Sequence, residues 1–396
     1  MSGRYGMSRV CIPVSPSAYP LADPDISELV YSMMSEDPSL DIHALKSQEL
    51  LQALLARPDC AILVELVALR SQGWESESLD SVFLAQRTTA DTNRSPEDDT
   101  KWLHLMCKSL SQMDRQKRFI HTNRFIDIGC FPGGYSTYIL QKCPLATGLG
   151  ISLPFEDGGH GLAIPADLLP RMELRTADLT NFDLAPSIPK PQTLFVQLGT
   201  LPFELNSFDL VVCDGHSLRN NPDNMERPWN WTRLLISQLL MGLRAVSAGG
   251  TIFLKLSHLE KALGARILLA LCRVARSVRT IKPQLHAIRG TFYVIAQQIS
   301  IKSTNYRILV ESLERLWYNM SFEGETGYGR AITWEEENTI LNWDEVVSEG
   351  GLDKLARFGA EVWGVQCNAL RRMLHARGIG AKNINNRMGA SEDARH

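Results

Sequence analysis

The segment Phe125-Ile-Asp-Ile-Gly-Cys-Phe-Pro-Gly-Gly-Tyr135 constrains the fold more than any other stretch of the chain. An apolar run ends on an acid, glycines follow at 129, 133 and 134, and a helical pattern then runs from Gly134 to Lys142. A buried strand, a tight glycine turn and a helix open an α/β sheet, in which ligands sit beyond the carboxyl ends of the strands. Glycine in such a turn lets the backbone approach a ligand closely.

The rest of the chain supplies the partners of that unit. Further strands are expected at Thr147–Ile151, Met172–Thr176, Phe208–Cys213 and Thr251–Leu256, with a last β-rich run at Thr291–Ala296. Helices are expected at Trp231–Ser247 and Leu259–Val278. Ser95-Pro-Glu-Asp98 is a helix start, with a capping serine, proline at the first helical position and an acid three residues on, and this helix should reach about Gln116. Strand–helix alternation of this kind implies a parallel sheet with helices on both faces. Helical spacing also marks Asp25 to about Leu69, the stretch after Asn305, and Leu352–Arg377. The first 25 residues and the polar end after Gly378 read as irregular and disordered.

Composition narrows the setting. The net charge is −3, so any surface for a polyanion must be local. Residues 1–100 hold seven Lys or Arg against sixteen Asp or Glu, so this accessory region either binds a partner or covers the sheet edge, the second being the reading preferred. Eight scattered cysteines contain no C-x-x-C pair, which argues against a metal site and for a reducing, intracellular setting, in cytoplasm or nucleus. Arg4 and Arg9 ahead of Asp23 leave a mitochondrial address open. No run of 18 apolar residues is present, so no membrane span is expected.

A dinucleotide turn needs glycine two positions after the first, where this chain has Phe131 and then Pro132. A cofactor without a pyrophosphate, S-adenosylmethionine (SAM), suits the loop better. The residues expected to hold it are Asp127, Gly129, Phe131, Pro132, Gly133, Gly134, Tyr135, Asp178 and Asp214. The second strand ends in Gly148-Leu-Gly-Ile-Ser-Leu-Pro154 without the acid that would meet ribose hydroxyls. Asp178 either accepts from the adenine amino group or caps the next turn.

Asp214 ends one strand and Lys255 lies late in the next, so both point to the cleft of the glycine loop. A charge in a buried strand is costly unless paired, and each can pair the other, either as catalytic groups or as a structural ion pair. Methyl transfer is an in-line displacement that needs an aligned acceptor and a group to remove its proton, and a lysine among other cations can do the second.

These pieces resemble the FtsJ/RrmJ-type ribose 2′-O-methyltransferases and are similar to the cap 2′-O-methyltransferases. The match lies in Asp127-Ile-Gly-Cys-Phe-Pro-Gly-Gly-Tyr, Cys213-Asp-Gly-His, Gly249-Gly-x-x-x-x-Lys255, and Lys282-Pro ahead of Tyr293-Val-Ile, over roughly 95–300. The resemblance implies a Lys–Asp–Lys–Glu tetrad, with Lys108, Asp214 and Lys255 in the first three places. Thr291 stands where the family has Glu, and no acid occurs between Glu260 and Glu311. The expected fold is therefore an α/β, Rossmann-like SAM-dependent methyltransferase sheet with helical N- and C-terminal extensions, divided at 1–95, 96–304 and 305–396.

The acceptor implied by the resemblance is RNA, of rRNA or mRNA-cap type. Two basic stretches would serve it. Residues 255–289 hold eight Lys or Arg against Glu260, with Arg273, Arg276 and Arg279 expected on one helix face, and 101–124 holds six against Asp114. Both equally read as solvated helix faces. Trp229 and Trp231 either stack on a base or pack the following helix. Two other readings remain: a methyltransferase acting on a small molecule or protein, and a catalytically degenerate binding module, which Thr291 favours. A protein partner for the extensions is open.

Overall fold

The computed structural model describes residues 38–74, 95–191, 197–216 and 227–377. The readings for 1–37 and for the tail after Gly378 lie outside the described residues.

Seven strands form one sheet: β1 Arg124–Ile128, β2 Thr147–Ser152, β3 Met172–Thr176, β4 Phe208–Cys213, β5 Val246–Ser257, β6 Ala275–Ile281 and β7 Thr291–Ile299. Their order is β3-β2-β1-β4-β5-β7-β6. β1 to β5 run parallel, whereas β7 is antiparallel to both neighbours, so the sheet is mixed rather than all-parallel. The helices are α1 Pro38–Leu55, α2 Ala61–Trp74, α3 Pro96–Lys117, α4 Gly134–Lys142, α5 Asn230–Ala245, α6 Ala262–Val274, α7 Thr304–Phe322, α8 Trp334–Glu337, α9 Trp343–Val346 and α10 Glu349–Ala376.

Local chemistry accounts for most boundaries. Ser95 accepts from the Asp98 N–H while Asp98 reaches back to the Ser95 N–H, the capping box expected of that sequence. The helical stretch ahead of it is two helices, because Pro58 has no N–H to donate and drives Arg57 to extended backbone.

Another expectation failed. The helix placed at Leu259–Val278 ends at Val274, and Ala275–Ile281 is β6. Ser277, Val278, Thr280 and Ile281 include three β-branched residues, which pack well on a pleated surface, and β6 pairs with β7 along its length. Arg273 thus ends a helix while Arg276 and Arg279 lie on a strand, and no helix face holds all three.

Alternation along the strands sorts the core into two faces. Phe125, Leu210, Val212, Phe253, Tyr293 and Ile295 meet α3 and α4. Ile126, Ile128, Val211, Cys213, Ile252 and Leu254 meet the other face, covered by α5, α6 and the C-terminal helices. The N-terminal helices close onto that second layer. α2 lies along α10, Arg70 pairs with Glu260 at 2.5 Å, and Arg57 reaches Asp353 at 2.6 Å. At the centre of this contact Arg266 is fully buried, 2.8 Å from Glu337, with its guanidinium 3.8 Å from the Trp334 ring centre. Glu337 also meets His43 of α1 at 2.8 Å.

Candidate active site

The site is built on the carboxyl ends of β1, β4 and β5. Asp127 is 1 % exposed and accepts from Ser136 Oγ at 2.6 Å. Burial, reinforced by the nearby Asp214, pushes its carboxyl up to about 7. Beyond it the backbone takes glycine-only angles, with φ +88° at Gly129 and +110° at Gly133. A Cβ at Gly129 would lie 2.7 Å from the Gly215 backbone, at Gly133 2.1 Å from Ile164, and at Gly134 2.5 Å from the Leu103 carbonyl. These glycines are therefore required by chain packing against chain, a different reason from the ligand approach that the sequence suggested. A narrow cleft remains, lined by Met106, Asp127, Gly129, Cys130, Phe131, Pro132, Gly134, Tyr135 and Asp214.

Asp214 follows the last pair of β4 and β5, Cys213 with Leu254, and so comes level with Lys255. Lys255 Nζ lies 3.3 Å from Asp214 Oδ1. On β7, Tyr293 is the register partner of Lys255, and its hydroxyl donates to the same Oδ1 at 2.7 Å. Tyr135, from the glycine loop, donates to the Tyr293 hydroxyl at 2.8 Å. Burial holds both phenols well above their usual range, so they act here as neutral donors. A relay Tyr135–Tyr293–Asp214 thus ties the loop to the ion pair. Gln238 of α5 fixes the turn after Asp214, accepting from the Gly215 N–H at 3.0 Å and donating to its carbonyl at 3.2 Å.

The remaining candidates separate. Lys108 is exposed. Among the described residues no ion pair joins it to Asp214, which is met instead by Lys255 and Tyr293. Thr291 lies on the same face of β7 as Tyr293, and its Oγ1 is buried without a hydrogen-bond partner. Its carbonyl accepts from Lys282 Nζ at 2.7 Å. Asp178 accepts from the Thr180 N–H and hydroxyl, both at 2.8 Å, and caps the turn Leu179–Asn181. Trp229 donates its indole N–H to the Met320 carbonyl at 3.1 Å, a packing role, while Trp231 is 40 % exposed.

Sequence reasoning missed Tyr135 and Tyr293 as a pair, Gln238, and His286. The last is 7 % exposed on the turn Gln284–His286. Burial, with the positive charge of Arg289, Lys255 and Lys282, holds its imidazole well below the usual range. The signal was a histidine between Lys282 and Arg289 in a segment without acids.

The cations of 255–289 are mostly spent inside the protein. Arg266 is buried, Arg273 pairs with Glu345, Arg279 donates to the Lys117 carbonyl at 2.8 Å, and Lys282 is 3 % exposed. In 101–124, Lys101 pairs with Asp98 and Lys117 with Glu361, while Arg115 and Arg118 are exposed. Among the described residues no group of His, Cys, Asp and Glu could hold a metal ion, and no helix is long and apolar enough to cross a membrane.

Residues 108–297 match the model of the FtsJ-like methyltransferase family. The chain carries an FtsJ-like methyltransferase domain. The domain is of the SAM-dependent methyltransferase class. Among solved structures, the chain is similar to one described as a ribosomal RNA methyltransferase from Plasmodium falciparum, at 16 % identity over 49 % of this chain and 96 % of that one, with a TM-score of 0.33. A TehB-like SAM-dependent methyltransferase from Corynebacterium glutamicum gives 14 % identity, 55 % and 97 % coverage and a TM-score of 0.29. An O-methyltransferase family protein from Burkholderia thailandensis gives 17 % identity, 50 % and 57 % coverage and a TM-score of 0.30. No curated protein sequence matches the chain.

Proposed function

We propose that this chain binds SAM at the FtsJ-like domain and methylates a ribose 2′-hydroxyl of RNA, with the segment 96–304 as the catalytic unit. The observation that carries the reading is the Asp214–Lys255 pair at 3.3 Å, set at the carboxyl edge of the sheet beside the glycine loop. The resemblance to ribose 2′-O-methyltransferases puts the catalytic lysine in that place.

The residues suit one end of SAM. Two carboxyls, Asp127 and Asp214, stand at the cleft and can take its ammonium group, and the loop 129–135 forms the wall. The enclosed space is about 20 Å³, room for one water, so most of a cofactor that needs several hundred Å³ would lie outside it. Asp178 caps its turn through Oδ1 alone, so its other carboxylate oxygen can still accept from the adenine amino group. When bound, SAM supplies an electrophilic methyl group. Lys255, as the neutral amine, would steer the acceptor hydroxyl and take up its proton as the methyl passes from sulfur to oxygen, while Asp214 anchors Lys255 and Tyr293 holds Asp214 in place.

A second reading has its own support: Thr291 stands where the resemblance implies a carboxylate, and its buried Oγ1 has no hydrogen-bond partner, so one of the four tetrad places is unequipped. In that reading the domain binds without transferring. Incubation with SAM and total RNA, followed by nucleoside digestion and mass spectrometry, separates the two. Accumulation of 2′-O-methyl nucleosides is the expected result. Methyl groups on bases or protein, or on nothing, would sink the proposal.

A further inference from the structure

From the glycine loop, α4 runs beside α3 to a second concavity at the far ends of both helices. It measures about 660 Å³ and is lined by Asp114, Arg115, Arg118, His121, Tyr138, Gln141 and Lys142. Eight residues separate Gly134 from Lys142, which is about 12 Å along the helix. The concavity is thus distinct from the methyl-transfer cleft, and nothing in the proposed chemistry uses it.

Its charge balance is uneven. The one acid, Asp114, is 2 % exposed and fully engaged. It accepts from the N–H groups of Phe119 and Ile120 at 3.0 Å, from the Tyr138 hydroxyl at 2.9 Å, and from Lys142. Arg115, Arg118 and His121 are exposed at the rim, and among the described residues no carboxylate lies within ion-pair distance of either arginine. Cations near helix C-termini complement the macrodipole, which accounts for Arg115 and Lys142 in their last turns. The same complementarity reaches Arg118 at the C-cap of α3. That residue closes α3 in the left-handed region, φ 50°, where glycine or asparagine is usual, and this conformation sets its side chain at the concavity.

We propose that this concavity is a second RNA-contact site, in which Arg115 and Arg118 hold backbone phosphates of the strand whose nucleotide is methylated at the cleft. The 12 Å offset corresponds to three or four phosphate steps of a helical strand, at about 3.4 Å each. The identity of the anion rests on the reading given under Proposed function; the cationic concavity does not.

The test is fluorescence anisotropy with a labelled single-stranded RNA from 50 to 300 mM KCl, comparing the full chain with Arg115→Ala/Arg118→Gly. Glycine suits the left-handed position, so this variant keeps the cap. Each lost phosphate contact lowers the slope of log K against log salt by about 0.7. The expected change is a slope smaller by about 1.4 and roughly 25-fold weaker binding at 0.1 M salt, with the heat of SAM binding unaltered. Equal affinity and slope in the two proteins overturn the site. If the wild type binds RNA in this Arg-dependent way yet methylates no ribose, the site stands and the proposed function falls. If it methylates ribose and the variant binds as tightly, the function stands and the site falls. An absence of any RNA binding removes both.

Discussion

If SAM binds at the cleft as proposed, the carboxyl of Asp127 should make that binding sensitive to pH. Complete burial, with Asp214 adding, lifts it to about 7, so near pH 6 it is mostly neutral in the free protein. An ammonium group binds the ionised form. Affinity should then scale with the ionised fraction, making SAM binding about 11-fold weaker at pH 6 than the plateau value and about 100-fold weaker at pH 5. An upper limb follows near pH 8, where an α-amino group loses its proton at about 7.7–8.0. The same shift affects folding. A carboxyl whose folded value lies above its ordinary 3.8 adds stability that is full below that value and is lost as pH rises through about 7. The loss amounts to roughly 4 kcal/mol in the ligand-free protein. Isothermal titration at pH 5, 6, 7 and 8, in buffers of different ionisation enthalpy, counts the protons released. Asp127→Asn should abolish the lower limb. A flat affinity between pH 5 and 7, or a lower limb that survives in Asp127→Asn, would refute the assignment.

Three further outcomes are expected. Tyr293→Phe leaves the Tyr135 hydroxyl buried without its acceptor and should cost about 1–3 kcal/mol in urea unfolding, whereas Tyr135→Phe/Tyr293→Phe removes both ends and should cost less than the single change. Arg266→Ala strands the Glu337 carboxylate inside the contact between α1, α6 and α8 and should destabilise by about 3–5 kcal/mol; a change below 1 kcal/mol would show that His43 alone neutralises Glu337. Thr291→Glu places a carboxylate on the face of Lys255, where Thr291 Oγ1 now has no partner, and should raise the methyl-transfer rate by about 10- to 100-fold in single-turnover assays. An unchanged rate would mean that the missing glutamate is not what limits this enzyme.

The site was legible in the sequence where a local pattern and a strand boundary coincide. Asp127, Asp214 and Lys255 each sit at the carboxyl end of an apolar run, and parallel pairing then brings them to one edge without further information. Ser95 to Asp98 was equally plain, because a capping box is complete within four residues. What failed depends on where a helix ends or on distant partners. Arg273, Arg276 and Arg279 have helical spacing, but the chain passes from α6 into β6 at Ala275, so they share no helix face. Arg266 and Arg279 looked like surface cations because Glu337 and Gln297 lie 71 and 18 residues away. The Tyr135–Tyr293 contact joins residues 158 apart and needs the antiparallel β7, which a reading of simple alternation makes parallel.

The central claim, that Lys255 beside Asp214 carries the transfer step in a SAM-binding FtsJ-like domain, is tested most directly by single-turnover transfer of the methyl group to RNA with Lys255→Ala. The account predicts a rate lower by about 10²–10⁴-fold, with SAM affinity within twofold of wild type. Transfer at the wild-type rate by Lys255→Ala, or a wild-type chain that binds no SAM, would contradict it.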